Sequence, residues 1–182
     1  FKKINKPVAM KILSKDILHK TDVGGVKLNL NNALEVEENF EKIISRVSKK
    51  LPRADIEGII ISEMIEDGVD LILGFKKDPI FGPMIMLGFG GIYAEVLKDL
   101  SFRRLPLENI EVNNMLKNLK LFPILDGVRG GIKYDINNIT DIIQKVSNVF
   151  LVYYKDLQSL EINPLRVTKN GVICLDALLE RN

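Results

Sequence analysis

The feature that most constrains the fold is a hairpin signal at the end of the chain. The segments SLEINPLRV and GVICLDALL are apolar and typical of strands, and Thr168, Lys169, Asn170 and Gly171 join them. The Asn-Gly dipeptide favours the tight turn that connects two antiparallel strands. The sequence therefore predicts that the chain ends in an antiparallel pair.

Five upstream segments are also typical of strands. They are short, and either continuously apolar or alternating; in chain order they read PVAMKIL, GVKLNL, IEGIIISEMI, VDLILGFKKD and PMIMLGF. A turn at Asp67-Gly68 is expected to join the third to the fourth. The pattern predicts mostly antiparallel sheets.

Helices are predicted between these strands. In ALEVEENFEKIISRVSKKL the apolar residues recur three and four positions apart, which places them on one helix face; they are Val36, Phe40, Ile43, Ile44 and Val47. Asn31 or Asn32 can cap this helix. Further helices are predicted from Glu108 to Leu119 and through INNITDIIQKVSNVFLVYY. The fold class is therefore α+β, with two lobes that divide near Met64.

Composition and charge exclude several classes of protein. Lys and Arg total 26 against 24 for Asp and Glu, so there is no broad positive surface of the kind that nucleic-acid-binding proteins carry. No apolar run approaches the length needed to cross a bilayer, and we expect no signal peptide, because charges and Pro7 interrupt the first segment. The single cysteine, Cys174, is expected to be buried in a reducing compartment. We therefore expect a cytoplasmic protein without a nucleic-acid or membrane partner.

Oxygen-bearing side chains converge on one face of the final hairpin. Glu161 and Asn163 are two apart on a strand, so they leave the same face, and Asp176 lies on the partner strand among apolar residues. An acid in such surroundings is costly unless it is paired or binds a cation. The three side chains suit Mg²⁺. The alternative is an acid and an amide that only face solvent, and Pro164 indicates that the strand is bent or at a sheet edge.

Three upstream features suit the phosphates and base of a nucleotide. Lys11, inside an apolar strand, either extends to the surface or contacts an anion. Gly24 and Gly25 either offer backbone amides to a phosphate or only form a turn. The backbone of 63–65, at the crossing between lobes, can bond an adenine edge while Met64 packs on the ring. Together with the metal site these are the parts of a phosphoryl-transfer site.

Several motifs of the chain, in this order, resemble the ATP-grasp subunit or domain of ADP-forming acyl-CoA synthetases. They are DILHKTDVGGVKL, GVDLILGFKKDPIFGPMIMLGFGGIYAEVLKD, LDGVRGG, and LEINPL followed by GVICLDA. These enzymes are relatives of the succinyl-CoA synthetase β subunit, and the similarity covers essentially the whole chain. The resemblance implies an ATP-grasp fold with a small lid lobe at 1–65 and a C-terminal lobe at 66–182. Since the fold normally has elements before the lysine strand, we expect it to be incomplete at its N-terminus.

The resemblance also implies an activity. Members of the family interconvert acyl-CoA, ADP and phosphate with the free acid, CoA and ATP. A first histidine, on a CoA-binding (α) subunit or domain, is phosphorylated; a second, in a D-x-x-H-K-[ST]-D loop, then carries the phosphoryl group to the Mg-nucleotide. His19, the only histidine, occupies that second position, and Lys20 beside it would neutralise the arriving phosphate. An imidazole suits this role because it is largely neutral at pH 7.

Further roles follow from the resemblance position by position. Lys11, Gly24 and Gly25 would contact nucleotide phosphates, and Asp70, where the family more often has glutamate, would reach the ribose. Arg129 either faces phosphate or braces its loop. The remaining positions are Glu63, Met64 and Ile65 for adenine, and Asn163 and Asp176 with neighbouring Glu161 for Mg²⁺. The implied cofactor is Mg²⁺, the implied substrate is ATP or ADP, and the implied partner is the CoA-binding (α) part, in a hetero-oligomer or a fused chain. The alternative is a non-catalytic, ligand-binding regulatory domain fused to a protein acetyltransferase.

Overall fold

A computed structural model describes residues 4–65, 67–91 and 97–182 of the chain. The chain forms two compact units, Phe1–Glu66 and Asp67–Asn182. The boundary lies one residue after the one predicted from the sequence. That these units are the two lobes of an ATP-grasp fold stays a prediction.

The first unit packs one helix on a small antiparallel sheet. Its elements are β1 (Val8–Leu13), β2 (Val26–Leu30), α1 (Ala33–Lys50) and β3 (Gly58–Glu63), with the strand order β2-β1-β3. Alternate residues of β1 face the helix and are fully buried, as period-two alternation requires. The core of this unit contains Val8, Met10 and Ile12 of β1 and Val36, Ile43 and Val47 of α1.

Helix α1 begins as its sequence indicates, but one residue of its predicted buried face is exposed. Asn32 is the N-cap, and its side chain accepts a hydrogen bond from the Glu35 amide at 2.9 Å. Phe40 was expected on the buried face, but it is 41% exposed. Phe40 lies about 40° around the helix from Val36, at the flank of the face that the three-stranded sheet covers. The prediction that Phe40 is buried is therefore wrong.

The second unit is built on a six-stranded antiparallel sheet. The order is β6-β5-β4-β7-β8, and β9 also pairs with β7. Its elements are β4 (Val69–Asp78), β5 (Gly82–Phe89), β6 (Leu100–Arg104), α2 (Asn109–Lys117), α3 (Phe122–Leu125), a 3₁₀ turn (Val128–Gly130), α4 (Ile136–Tyr153), β7 (Leu157–Thr168), β8 (Gly171–Cys174) and β9 (Ala177–Arg181). The α+β class with antiparallel sheets is confirmed.

One face of this sheet forms the main core. Leu71, Leu73 and Phe75 of β4 are buried, and α2 and α4 contribute side chains to the same cluster. The rings of Phe75 and Phe150 have centroids 5.4 Å apart, so α4 packs directly on the sheet. Residues between these positions, such as Gly74, point to the other face, and Glu161 lies opposite Gly74 on β7. That second face carries the polar groups of the candidate metal site.

Strand pairing adds two facts that the sequence analysis did not give. The two strands on either side of Asp67 and Gly68, β3 and β4, belong to different sheets. Strand β6 was not predicted, although it pairs with β5 along its whole length, from Leu100 to Arg104. Its sequence LSFRR alternates over only four residues, from Leu100 to Arg103, which is the shortest run that gives a period-two signal.

The end of the chain also differs from its prediction. GVICLDALL is not one strand but two, β8 and β9, separated at Leu175 and Asp176. Cys174 is exposed rather than buried, because β8 is the last strand of the sheet. Strand β7 is not at an edge, although Pro164 suggested it; the pairing with β4 instead shifts register at this point.

Candidate nucleotide-binding and metal sites

The predicted site residues fall into two groups, one in each unit. The first unit holds Lys11, His19, Gly24, Gly25, Glu63, Met64 and Ile65, and the second holds Asp70, Glu161, Asn163 and Asp176.

Lys11 lies at the centre of the small sheet. It is half-buried, whereas Met10 and Ile12 on either side of it are fully buried against α1. By alternation its side chain therefore leaves the opposite sheet face. Its neighbours across the strands are Ile60 of β3 and Val26 of β2, and Ile60 is 46% exposed. A cation between the half-buried Val26 and the exposed Ile60 suits a ligand that has both a phosphate and a flat ring.

The loop that carries His19 is fixed at both ends. At its start, the Asp16 carboxylate accepts the Asp55 amide at 2.8 Å, and Ile17 is buried in the core. At its end, the Gly25 carbonyl accepts the Ile12 amide at 2.7 Å. The imidazole itself is exposed and makes no hydrogen bond or ion pair with any residue that the structure describes. His19 is thus an exposed imidazole on an anchored loop.

Basic side chains surround the base of this loop. Lys50 of α1 donates to the Asp22 carbonyl at 3.1 Å, and Arg46, one turn earlier, lies against Gly24. Lys15 pairs with Asp55 at 3.2 Å, and the hydrogen bond that it donates to this carboxylate raises the pKa of Lys15. Arg46 and Lys50 therefore place positive charge at the base of the loop.

Gly24 and Gly25 are required by packing. Gly24 has φ +71°, and a Cβ on Gly25 would lie 2.5 Å from Cγ2 of the buried Ile12. Their amides donate to the carbonyls of Thr21 and Lys20 at 2.9 and 2.8 Å. In this conformation neither amide is available to a phosphate, so the structure favours the turn, the second of the two sequence interpretations.

In the stretch after β3, a backbone amide that was predicted to contact adenine already donates a hydrogen bond within the protein. The amide of Met64 donates to the carbonyl of Pro7 at 2.8 Å, so this donor does not face an adenine edge. Glu63 forms an exposed ion pair with Lys6. Met64 and Ile65 are both half-buried. Packing of Met64 on a base remains the part of the predicted adenine contact that this geometry leaves open.

In the second unit, three residues of the predicted metal site come together at the break between β8 and β9. The amide of Asn163 donates to the Asp176 carbonyl at 3.1 Å, and the side-chain amide of Asn163 donates to Glu161 Oε1 at 3.2 Å. Asp176 lies between the strands rather than within one, and its carboxylate accepts the Ala177 amide at 3.1 Å. The donor set is two carboxylates and one amide.

This donor set fits Mg²⁺ in its chemistry. Mg²⁺ takes hard oxygen ligands and usually binds to one or two carboxylates together with substrate phosphates. Among the described ranges there is no cluster of three or more His, Cys, Asp or Glu side chains placed to hold a metal ion. Two carboxylates and an amide are too few ligands for a metal site made of protein groups alone. They therefore suit a metal ion whose other ligands are the phosphates of a bound nucleotide.

Asp70 is held by a partner that the sequence did not predict. Arg166, directly opposite it on β7, donates through Nε and Nη2 to its two oxygens at 2.7 and 2.8 Å. The hydrogen bond to this carboxylate raises the pKa of Arg166. A charged residue between the buried Leu165 and Val167 was the available signal for Arg166.

Arg129 does not brace its loop. The loop is held by an ion pair between Lys133 and Asp126 at 3.0 Å and by backbone pairing of the same two residues. Arg129 is exposed at φ 55° and, among the described residues, has no side-chain partner.

Comparison with known proteins agrees with the resemblance. The family model of the ATP-grasp domain matches residues 1–180. The chain is 43% identical over 173 residues to acetate–CoA ligase (ADP-forming) I of Archaeoglobus fulgidus, a match that covers 95% of this chain and 25% of that protein. It is 40% identical over 174 residues to the β subunit of acetate–CoA ligase (ADP-forming) I of Pyrococcus furiosus, covering 96% and 75%.

Solved structures give the same result. The acetyl-coenzyme A synthetase 1 of Ca. Korarchaeum cryptofilum, in complex with coenzyme A, Ca-AMPCP and HgCl⁺, matches with a TM-score of 0.92 and 36% identity over 100% of this chain and 79% of that one. Another structure of that protein holds Mg-AMPPCP, with its phosphohistidine segment pointing towards the nucleotide binding site; it matches with a TM-score of 0.83 and 32% identity over 100% and 79% of the two chains.

The chain therefore belongs to the ATP-grasp domain family, as the ATP-grasp part of the ADP-forming acyl-CoA synthetases. It spans about a quarter of the length of the Archaeoglobus ligase and three quarters of the Pyrococcus β subunit. None of the helices in the described part of the chain is long and apolar enough to cross a lipid bilayer.

Proposed function

We propose that the chain is the nucleotide-handling part of an enzyme that converts acyl-CoA, ADP and phosphate into the free acid, CoA and ATP. The observation that carries the proposal is the state of His19, an exposed imidazole without a described partner on a loop tied down at both ends. Each ring nitrogen of an imidazole can donate or accept a hydrogen bond, and no described residue engages either nitrogen of His19. A phosphoryl carrier needs one ring nitrogen free to attack.

The relay consists of two transfers. In the first, a nitrogen of His19 bonds to phosphorus as the P–N bond of a phosphohistidine on the CoA-binding partner breaks. In the second, the P–N bond to His19 breaks as an oxygen of the ADP β-phosphate bonds to phosphorus, which yields ATP. The second ring nitrogen keeps its proton throughout. Lys20 and the basic residues at the base of the loop would stabilise the added negative charge.

Part of the predicted site is assigned to the nucleotide and its metal ion. Lys11 would contact the phosphates of the nucleotide. The exposed Ile60, which lies beside Lys11 on the neighbouring strand, would pack against the adenine base. Asn163 and Asp176, with Glu161 hydrogen-bonded to Asn163, would hold Mg²⁺. When bound, the ion would neutralise charge on the phosphate oxygens. The nucleotide analogue and magnesium in the Korarchaeum structure support this assignment.

The partner is proposed from the relatives. The Pyrococcus relative is named as a β subunit, and the Archaeoglobus relative is about four times as long as the matched region. We therefore assign the first phosphohistidine and the CoA site to a further subunit or domain.

The test is ATP synthesis from acetyl-CoA, ADP and phosphate by the full polypeptide with its CoA-binding partner. His19→Ala should abolish ATP formation while the Kd for ADP stays within about twofold. Leu18→Ala is the matched control, since Leu18 is exposed in the same loop and has no proposed role. ATP synthesis by His19→Ala at the wild-type rate would contradict the relay. ADP binding without synthesis by the wild type would favour the regulatory alternative.

A further inference from the structure

Asp70 and Arg166 of the second unit form a half-buried ion pair with two hydrogen bonds. Its two hydrogen bonds run side by side, at 2.7 and 2.8 Å, between residues that face each other across β4 and β7. The two side chains are only 24% and 20% exposed. A two-point contact of this kind fixes the plane of a carboxylate, which a single contact does not.

A glycine on one side makes room for this pair. A Cβ on Gly68 would lie 2.6 Å from the Val167 carbonyl oxygen and 2.8 Å from Cγ of Arg166, so any side chain there would displace the arginine. On the other side, the Gly90 amide donates to the Asp70 carbonyl at 2.7 Å. The backbone of Asp70 is thus held in place while Gly68 leaves space for Arg166.

The geometry leaves acceptor capacity on Asp70. A carboxylate offers about four acceptor positions, two on each oxygen. Arg166 occupies one position on each oxygen, so one remains on each. Two neighbouring acceptors at a fixed spacing match the two hydroxyl groups of a vicinal diol.

Asp70 also lines a cavity of about 270 Å³. The other lining residues that the structure describes are glycine or apolar, among them Val69, Phe89 and Ile124. Among these described lining residues Asp70 therefore supplies the only charge. A sugar with adjacent hydroxyls would find its strongest hydrogen-bond acceptor there.

We propose that Arg166 is a positioning residue that presents the Asp70 carboxylate to the vicinal 2′- and 3′-hydroxyls of the nucleotide ribose. The inference rests on the proposed function, because it takes the ligand to be a nucleotide. Arg166 acts through Asp70, because it holds both oxygens of that carboxylate.

The test compares ADP with 2′,3′-dideoxy-ADP by calorimetry on the full polypeptide. The wild type should prefer ADP on the order of 10-fold, the value of a hydrogen bond to a charged group. Asp70→Asn and Arg166→Gln should each lose most of this preference by weakening ADP binding, while the Kd for dideoxy-ADP stays within about twofold. Arg166→Lys should restore only part of it, because an ammonium group does not reproduce the two-point contact.

Arg103→Gln is the matched control, since Arg103 lies in the same sheet and its described hydrogen bond goes to the carbonyl of Phe102. It should leave the preference unchanged. An Arg166→Gln variant that melts at a lower temperature but keeps the wild-type preference would overturn the positioning role. If Asp70→Asn also kept the preference, Asp70 would not contact the ribose, although ADP binding would still support the proposed function. Absence of ADP binding in the wild type would refute both.

Discussion

The backbone amide of Asn163 donates a hydrogen bond to the carbonyl of Asp176, at 3.1 Å. This contact joins the irregular point of β7 to the gap between β8 and β9, and a second bond, from the Leu175 amide to the Pro164 carbonyl at 3.0 Å, closes the other side. The two proposed magnesium ligands are therefore fixed by the backbone of a central strand and its neighbours. Rigid elements hold ligands more accurately than free loops do.

Asp176→Asn should make nucleotide binding insensitive to magnesium. The substitution removes one of two carboxylates from the donor set but keeps the size of the side chain. We expect the affinity for ADP in Mg²⁺ to fall by at least about 10-fold, with no change in EDTA. Calorimetry under both conditions measures this. Asp156→Asn, an exposed residue of the same unit, is the control, and a wild-type response to Mg²⁺ in Asp176→Asn would exclude Asp176 as a ligand.

Gly25→Ala should destabilise the first unit. The added Cβ would lie 2.5 Å from Cγ2 of Ile12 and 3.0 Å from the Lys20 carbonyl oxygen, and the buried Ile12 has little room to move. Overpacking of this kind costs about 1–3 kcal/mol of unfolding free energy. Urea denaturation followed by circular dichroism gives the value. Gly74→Ala should cost less, because its nearest neighbour is the flexible end of Met86, at 3.2 Å; equal effects would argue against the packing role of Gly25.

Asp99→Ala should destabilise the second unit. Asp99 is 5% exposed, and its two oxygens accept the backbone amides of Lys120 and Leu121, each at 3.0 Å, just before α3. Removal of the carboxylate leaves these donors without an acceptor, which costs about 1–3 kcal/mol. Thermal unfolding of Asp99→Ala is compared with that of Asp141→Asn, a control substitution at an exposed helix position, and the comparison gives the difference in stability. No difference between the two variants would show that the amides find other partners.

Asp78 should make the stability of the second unit depend on pH in the acid range. The amides of Phe81 and Ile80 donate to its Oδ1 at 2.8 Å each and hold its pKa below the ordinary value. A carboxyl with a lowered pKa in the folded state stabilises fully above its unfolded pKa, about 4, and loses that contribution as the pH falls through its folded pKa.

The melting temperature of Asp78→Asn should therefore lie below that of the wild type at pH 6, and the gap should narrow below about pH 4. Melting curves across this range give the comparison. A gap that stays constant with pH would mean that the charge of Asp78 does not stabilise the turn.

Most elements could be predicted from local patterns. VDLILGFKKD became β4 residue for residue, and α1 begins after the predicted cap Asn32, because alternation and capping are local properties. The errors concern pairing between distant segments. Cys174 is exposed because of the position of β8 in the sheet, and GVICLDALL is interrupted where Asp176 meets Asn163, on another strand. Neither fact is encoded within the segment itself.

In the candidate site, too, contacts between neighbouring residues could be predicted from the sequence, whereas contacts between distant strands could not. Glu161 and Asn163 share a face, as their spacing predicted, and the side-chain amide of Asn163 donates a hydrogen bond to Glu161. The pairing of Asp70 with Arg166 joins residues 96 positions apart, and it depends on the register between β4 and β7. Sequence patterns within either strand do not determine that register, so Arg166 was identified only from the fold.

The most direct test of the account is whether His19 carries phosphate. The full polypeptide is incubated with Mg-ATP, and its intact mass and the acid stability of the bound phosphate are measured beside those of His19→Ala. The relay predicts one added phosphate that is labile in acid and stable in alkali, and that is absent from the variant. Phosphate that persists in His19→Ala, or a wild-type protein that binds Mg-ATP without becoming phosphorylated, would contradict it.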